Sequence, residues 1–403
     1  MNVLFVTISP IPDLSKHSIS LDLIHEFIRK GHKVYVVCGL ERGNVQKTAV
    51  SEEAGATVLR VKIGKNKKAN LIEKGITALL LPFLYKSAVK KHFKDTRFDL
   101  VMYPTPPVTH METVNCIKKR DGARTYLLLR DIFPQNAVDI GMMKKTGFKG
   151  IIYHYFRMVE KKLYKISDYI GCMSQANVDY ILRHNPEIAA DKIEVCPNSI
   201  EIQNVQITEV ERIEIRGKYG IPLDKKVFIY GGNLGRPQGI TFLMECLDAE
   251  KNNENAFFLV VGDGTEYKKL ERFFSETKPS NAKLLKKLPK EDYDILVSAC
   301  DIGLIFLDHR FTIPNFPSRI LAYMQKRMPV LACTDLNTDM GKIITENNFG
   351  WWCESNDADK FTELVDAAIN SDLKTMGENG YEYLKENYTA EKACKIILDR
   401  LEL

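Results

Sequence analysis

A chain of 403 residues with 45% hydrophobic and 27% charged residues is too long for one ordinary core and long enough for two. Those proportions exclude a disordered, collagenous or disulfide-built protein, and the net charge of +5 is modest enough that its distribution matters more than its sum. The nine cysteines are scattered singly, with neither a C-x-x-C pair nor a zinc-like histidine spacing, as expected of reduced thiols in a cytoplasmic protein.

The opening MNVLFVTISP lacks a basic leader and a small-residue cleavage site, so it reads as a strand over 2–8 and not as a signal peptide. Leu21, Leu23, Ile24 and Phe27 then repeat at helical spacing until Gly31-His32, and an apolar run over 33–38 starts the next strand. Further strands at 57–61, 100–103, 124–129, 169–173 and 192–196, separated by helical patterns, predict a parallel sheet with helices on both faces. The alternation pauses over 197–207. Thr208, with Glu211 three residues on, is a capping-box start for a helix over 208–219. Strands at 226–230, 256–261, 283–285, 302–306, 329–332 and 350–353 form a second doubly wound series. The expected architecture is α/β, with two Rossmann-like domains at 1–203 and 204–387 facing a cleft. An amphipathic helix over 388–403 either crosses back to the first domain or caps the second. No run of about 18 apolar residues occurs, so no membrane span is expected.

In the first half, LRDIFPQ over 129–135 puts Arg130, Asp131 and Gln135 at the carboxyl end of a buried strand, where substrates of open sheets are met. His17, in the first strand-to-helix loop, is the histidine best placed for function; His92 and His184 fall on polar helical faces. Over 62–97, ten basic residues (Lys62, Lys65, Lys67, Lys68, Lys74, Lys86, Lys90, Lys91, Lys94 and Arg97) stand against Glu73 and Asp95 around the apolar ITALLLPFLY of 76–85. That is either a helix face for an anionic membrane surface or a solvated face on a packed helix. Nucleic acid is not expected, because no RNA- or DNA-binding motif accompanies the charge.

In the second half, FIYGGNLGRPQG over 228–239 is a strand running into glycines and a helix. Gly232, Asn233 and Gly235 let backbone amides approach a phosphate, and Arg236 adds a forked cation. In IPNFPSRILAYM over 313–324, Pro317 and Ser318 start a helix, so Ser318 and Arg319 offer amides, a hydroxyl and a guanidinium to an anion. Gly262 and Gly264 of VGDG, and Leu288, Pro289 and Glu291 of LPKED, lie where backbone groups read a base or sugar. Asp292 and Asp294 mimic a metal-binding pair, but they fall within an amphipathic helical pattern, so no metal is expected.

Taken in order, GH at 31–32, RDIFP at 130–134, MS at 173–174, VCPN at 195–198, YGGNLGRPQG at 230–239, VGDG at 261–264, FPSRILAY at 316–323 and PV at 329–330 span nearly the whole chain. The series resembles the retaining glycosyltransferases of the GT-B fold, family 4, particularly bacterial O-antigen and capsule enzymes that include fucosamine transferases. The resemblance implies a UDP-sugar donor held by the second domain and a lipid-linked saccharide acceptor held by the first, at the inner face of the cell membrane. It also implies catalytic roles for Asp131, Arg236 and Arg319. The two arginines would replace a metal at the leaving diphosphate, so no cofactor is required. Same-face attack, with the donor phosphate helping remove the acceptor proton, needs no side-chain nucleophile.

The sequence departs from that family at four places. Pro314 and Ala322 stand where it carries paired glutamates, the second a ribose contact. Gln238 replaces a basic residue, and polar residues over 15–18 replace a glycine pair. A nucleotide-sugar 2-epimerase on the same fold and a catalytically silent partner subunit are the competing readings. A nicotinamide dehydrogenase is disfavoured, because no G-x-G-x-x-G follows the first strand.

Overall fold

The computed structural model describes residues 1–40, 47–63, 71–204 and 206–401, apart from the side chains of 71–79 and 148–149. The chain divides into two compact units, Met1–Glu201 with Thr389–Leu403, and Ile202–Tyr388.

The first unit runs β1 (Asn2–Pro10), α1 (Ile19–Arg29), β2 (Lys33–Gly39), β3 (Ala49–Glu53), β4 (Ala56–Val61), α2 (Leu71–His92), β5 (Leu100–Pro104), α3 (Met111–Asp121), β6 (Arg124–Leu129), α4 (Gln135–Asp139), α5 (Phe148–Ile166), β7 (Tyr169–Cys172), α6 (Gln175–His184) and β8 (Ile193–Val195). Its eight strands lie in the order β3-β4-β2-β1-β5-β6-β7-β8. All neighbours are parallel except β3 and β4, an antiparallel hairpin that the sequence reading did not contain. Its turn is the pair Ala54-Gly55, both at positive φ (45° and 84°), the backbone of a two-residue hairpin reached here with alanine at the first position. An apolar-poor strand closed by such a turn carries no periodic signal.

The second unit runs α7 (Glu209–Tyr219), β9 (Lys226–Asn233), α8 (Ile240–Ala249), β10 (Ala256–Asp263), α9 (Tyr267–Thr277), β11 (Ala282–Lys286), α10 (Lys290–Ser298), β12 (Ile302–Phe306), α11 (Arg319–Gln325), β13 (Val330–Thr334), α12 (Met340–Glu346), β14 (Gly350–Glu354), α13 (Ala358–Ile369) and α14 (Leu373–Asn387). Its six parallel strands lie in the order β11-β10-β9-β12-β13-β14. The capping box at Thr208 and Glu211 is formed, each side chain bonded to the other residue's backbone amide. Strands β9 and β10 run past their apolar stretches, because Gly231, Gly232 and Asn233 stay in register with Val261, Gly262 and Asp263.

The final helix, α15 (Ala390–Asp399), packs on α1 and sends Ala393, Cys394 and Ile397 into the first unit's core beside Val3, Phe5 and Phe27. At roughly 1.5–3 kcal/mol for a fully buried isoleucine or phenylalanine, this contact is a substantial part of that core.

Candidate functional site

In the second unit, the carboxyl end of β9 turns through a short 3-10 segment at Arg236–Gln238 into α8. Gly232 takes φ 132°, and a Cβ built there would lie 3.4 Å from Arg319 Nη2. Gly262 and Gly264 have a different reason: added Cβ atoms would come within 2.1 Å of the Gly232 carbonyl and 2.4 Å of the Leu234 carbonyl. Their small size serves the packing of the two loops.

Beneath this loop lies Arg319, the first residue of α11. Its guanidinium carbon is 4.4 Å from the centre of the Tyr230 ring, and Nη2 donates to Gln238 Oε1 at 2.8 Å. Nη1 is buried with no partner. Gln238 also accepts from the Tyr230 hydroxyl at 3.1 Å, so this residue, standing where the family carries a cation, orients one. Tyr293 fills the space over Gly231, where an added Cβ would lie 1.8 Å from its hydroxyl oxygen. With Gly232, Asn233, Gly262, Lys287 and Leu288 it lines a cavity of about 400 Å³, within the size range of small-ligand sites.

The other candidates differ in placement. Arg236 is exposed and reaches Glu266 only at 3.7 Å. Ser318 was expected as a hydroxyl cap, but its backbone is already helical and its side chain caps nothing. Pro289 precedes α10, and Glu291 is exposed in its first turn. Asp294 binds Lys290 at 2.6 Å, while Asp292 lies 4.0 Å from Lys218, so the acidic pair is divided between two cations.

In the first unit, Thr105, Arg130 and Asp131 follow the carboxyl ends of β5 and β6. Arg130 is half-buried, donates to Ser20 Oγ at 2.8 Å and leaves a buried Nε unpartnered; desolvation lowers its pKa to about 10. Asn136 Nδ2 donates to both Asp131 carboxylate oxygens at 2.9 Å, and burial pushes the carboxyl up to about 6. Gln135 turns back along its own helix to Asp139 at 2.6 Å.

His17 contacts Asp22 at 3.0 Å and Glu201 at 3.6 Å. His17, Asp22, His25 and Glu201 are the one group among the described residues whose ligand atoms all gather within 4.8 Å. The protein already satisfies this group: Asp22 accepts from Ser18 and Glu201 amides, His25 donates to the Leu14 carbonyl and Arg29 pairs with Glu201.

Of the basic stretch, Lys65, Lys67 and Lys68 lie outside the described residues, as do the side chains of Glu73, Lys74 and 76–79. Leu80, Phe83 and Leu84 are exposed on α2, followed on the same helix by exposed Lys90 and Lys91. No described helix is long and apolar enough to cross a membrane.

The sequence reading missed Asn136, Tyr230, Tyr293 and the orienting role of Gln238. Asn136 lay one residue past the motif, and the others join elements far apart in the chain.

The chain matches the family models "Glycosyltransferase Family 4" over residues 19–204 and "Glycosyl transferases group 1" over 211–383. It is 26% identical over 334 residues, 81% of this chain and 80% of the other, to the "Probable glycosyltransferase WbjE" of Pseudomonas aeruginosa. It is 22% identical over 255 residues, 62% of this chain and 60% of the other, to WcaI of Escherichia coli (strain K12), named for colanic acid biosynthesis. The structure of Anabaena HepE in complex with UDP and glucose superposes with a TM-score of 0.71 at 15% identity, covering 99% of both chains. With two parallel-sheet units built this way, and both halves matched by glycosyltransferase models, the chain is a glycosyltransferase of the two-domain GT-B fold.

Proposed function

We propose that this glycosyltransferase moves an N-acetylated amino sugar from a UDP-sugar to a lipid-linked saccharide in bacterial surface polysaccharide synthesis, with retention and without a metal. The observation that carries the donor half is Arg319, a half-buried residue whose Nη1 is buried and unpartnered under the glycine loop, near a cavity of about 400 Å³. A buried charged donor with an unmade hydrogen bond is costly, and an anion completes it. The nucleoside occupies the cavity. The diphosphate meets Arg319, the amides of the glycine loop and the start of α8, with Arg236 swinging from Glu266 to join them. As the glycosidic bond to the diphosphate breaks, these fixed positive groups stabilise the charge growing on the leaving oxygen. The acceptor hydroxyl attacks from the same face and passes its proton to that phosphate.

Asp131 and Arg130 hold the sugar side in the first domain, where the Asp131 carboxyl, raised to about 6 by burial, orients a hydroxyl. UDP in HepE and the colanic acid biosynthesis named for WcaI support the substrate classes. Exposed Leu80, Phe83 and Leu84 beside lysines support the reading of a membrane-side acceptor and of a peripheral position on the inner membrane face.

A silent partner subunit has one feature in its favour: Ala322 offers no carboxylate to a ribose. Calorimetry with UDP, GDP and ADP, with and without magnesium, separates the two. The transferase reading expects UDP binding that ignores magnesium and is weakened roughly 10- to 100-fold in Arg319→Ala; absence of binding by all three nucleotides supports the silent subunit.

A further inference from the structure

The first unit has a concavity of its own, at the amino-terminal end of its last strands, the end opposite to the one at which Asp131 follows β6. It lies between the carboxyl-terminal half of α5 and the connection that enters β8, with a volume of about 540 Å³. Met158, Lys161, Lys162 and Lys165 line it from α5, and Ile188 and Lys192 from the connection. Glu187 is the acid of this lining and already binds Lys161 at 3.0 Å. Lys162, Lys165 and Lys192 have no acidic partner among the described residues. The neighbouring acid, Glu160, is buried and committed to Arg157 and to the Tyr164 hydroxyl.

The same helix leads into this groove with an apolar stripe. Ile151, Tyr155, Met158 and Lys162 follow one another at steps of four, three and four, so they share one face, and all are exposed, Ile151 by 63%. Ile152 beside them is also exposed. A soluble surface rarely leaves four large apolar side chains on one helix in water. Helix α2, which packs on the same α3, repeats the design, with apolar Leu80, Phe83 and Leu84 ahead of Lys90 and Lys91. Apolar stripes ending in lysines match a surface that is hydrocarbon beneath and anionic at its rim.

We propose that the groove between α5 and the entry to β8 binds the phosphate-bearing headgroup of an anionic phospholipid, with the α5 stripe seated at the acyl boundary beside it. Unpaired lysines take the phosphate, and Met158 and Ile188 cover the glycerol and upper chain. This rests on the membrane-side acceptor of the function above and is independent of the donor chemistry. It also orients the protein: with α5 flat on the lipid, the carboxyl edge of the first sheet, where Asp131 lies, borders the membrane at the Ile151 end of the helix.

The test is flotation of the full chain with vesicles of phosphatidylcholine alone or mixed with phosphatidylglycerol. Wild type should float only with the anionic vesicles. Each lysine near such a surface strengthens binding by roughly fivefold, so Lys162→Gln/Lys165→Gln/Lys192→Gln should lose roughly a hundredfold in vesicle affinity. Ile151→Ser/Ile152→Ser should also lose binding, while UDP calorimetry and the melting temperature of both variants stay at the wild-type value. Excess inorganic phosphate should not displace the vesicles. Equal flotation with neutral vesicles, unchanged binding by the lysine variant, or displacement by free phosphate overturns the headgroup site. So does a solution dimer that the isoleucine variant splits, which would give the stripe to a second copy. Vesicle binding is read whether or not UDP binds, so failure of either reading shows separately.

Discussion

In the proposed donor site Arg319 is the side chain with most at stake, because its Nη1 has a hydrogen bond still to give that a diphosphate would take. A hydrogen bond to a charged group is worth about 1.5–3 kcal/mol, so Arg319→Ala should weaken UDP roughly 10- to 100-fold by calorimetry, with Arg319→Lys in between because it keeps charge without the fork. Two other buried groups predict pH dependences of opposite sign. Asp131 has a folded pKa of about 6 against an ordinary 3.8, so between those values the folded state binds more protons and stability falls as pH rises, by about 3 kcal/mol. His110 is buried with both ring nitrogens unpartnered, and burial lowers it from 6.5 to about 4. There the unfolded state binds more protons, so stability falls as pH drops through that window, again by about 3 kcal/mol. Denaturant unfolding across this range should show that Asp131→Asn removes the first slope and His110→Gln the second; unchanged slopes would contradict the burial of these groups.

At the scale of elements, the glycine loop is a packing problem solved by glycine at the end of β9. Gly231→Ala would place a methyl group 1.8 Å from the Tyr293 hydroxyl oxygen and drive that ring into the cavity. Overpacking of this kind costs about 1–3 kcal/mol, and nucleotide binding should fall with it. The double variant Gly231→Ala/Tyr293→Ala should recover much of the stability, a coupling that a double-mutant cycle measures directly. The motif FIYGGNLG was legible as strand, loop and helix because apolar residues give way to glycines. The reason for each glycine was not legible: Gly262 and Gly264 are small for the Gly232 and Leu234 carbonyls, contacts that no local pattern encodes. The hairpin of β3 and β4 escaped for a related reason, since Ala54 takes a positive φ that alanine rarely adopts.

For the whole molecule, the chain's last helix belongs to its first unit, so deletion of 389–403 should act far from the cut in sequence. Removing Ala393, Cys394 and Ile397 exposes apolar surface of α1 and the first core. Calorimetry should show the first unit's transition lowered or lost and that of the second, Ile202–Tyr388, retained; a lowered second transition would contradict the assignment. The sequence by itself determined the alternation of strands and helices, the two series of parallel strands and the residues grouped at strand ends, because these follow from apolar periodicity and glycine placement over short spans. Only the tertiary structure decided that α15 packs on α1, that Arg319 is held by Gln238 and Tyr230, and that Asn136 grips Asp131. Each of those depends on close approach between groups whose sequence neighbours carry no trace of the partner, and in a close-packed interior such approach is set by the whole fold.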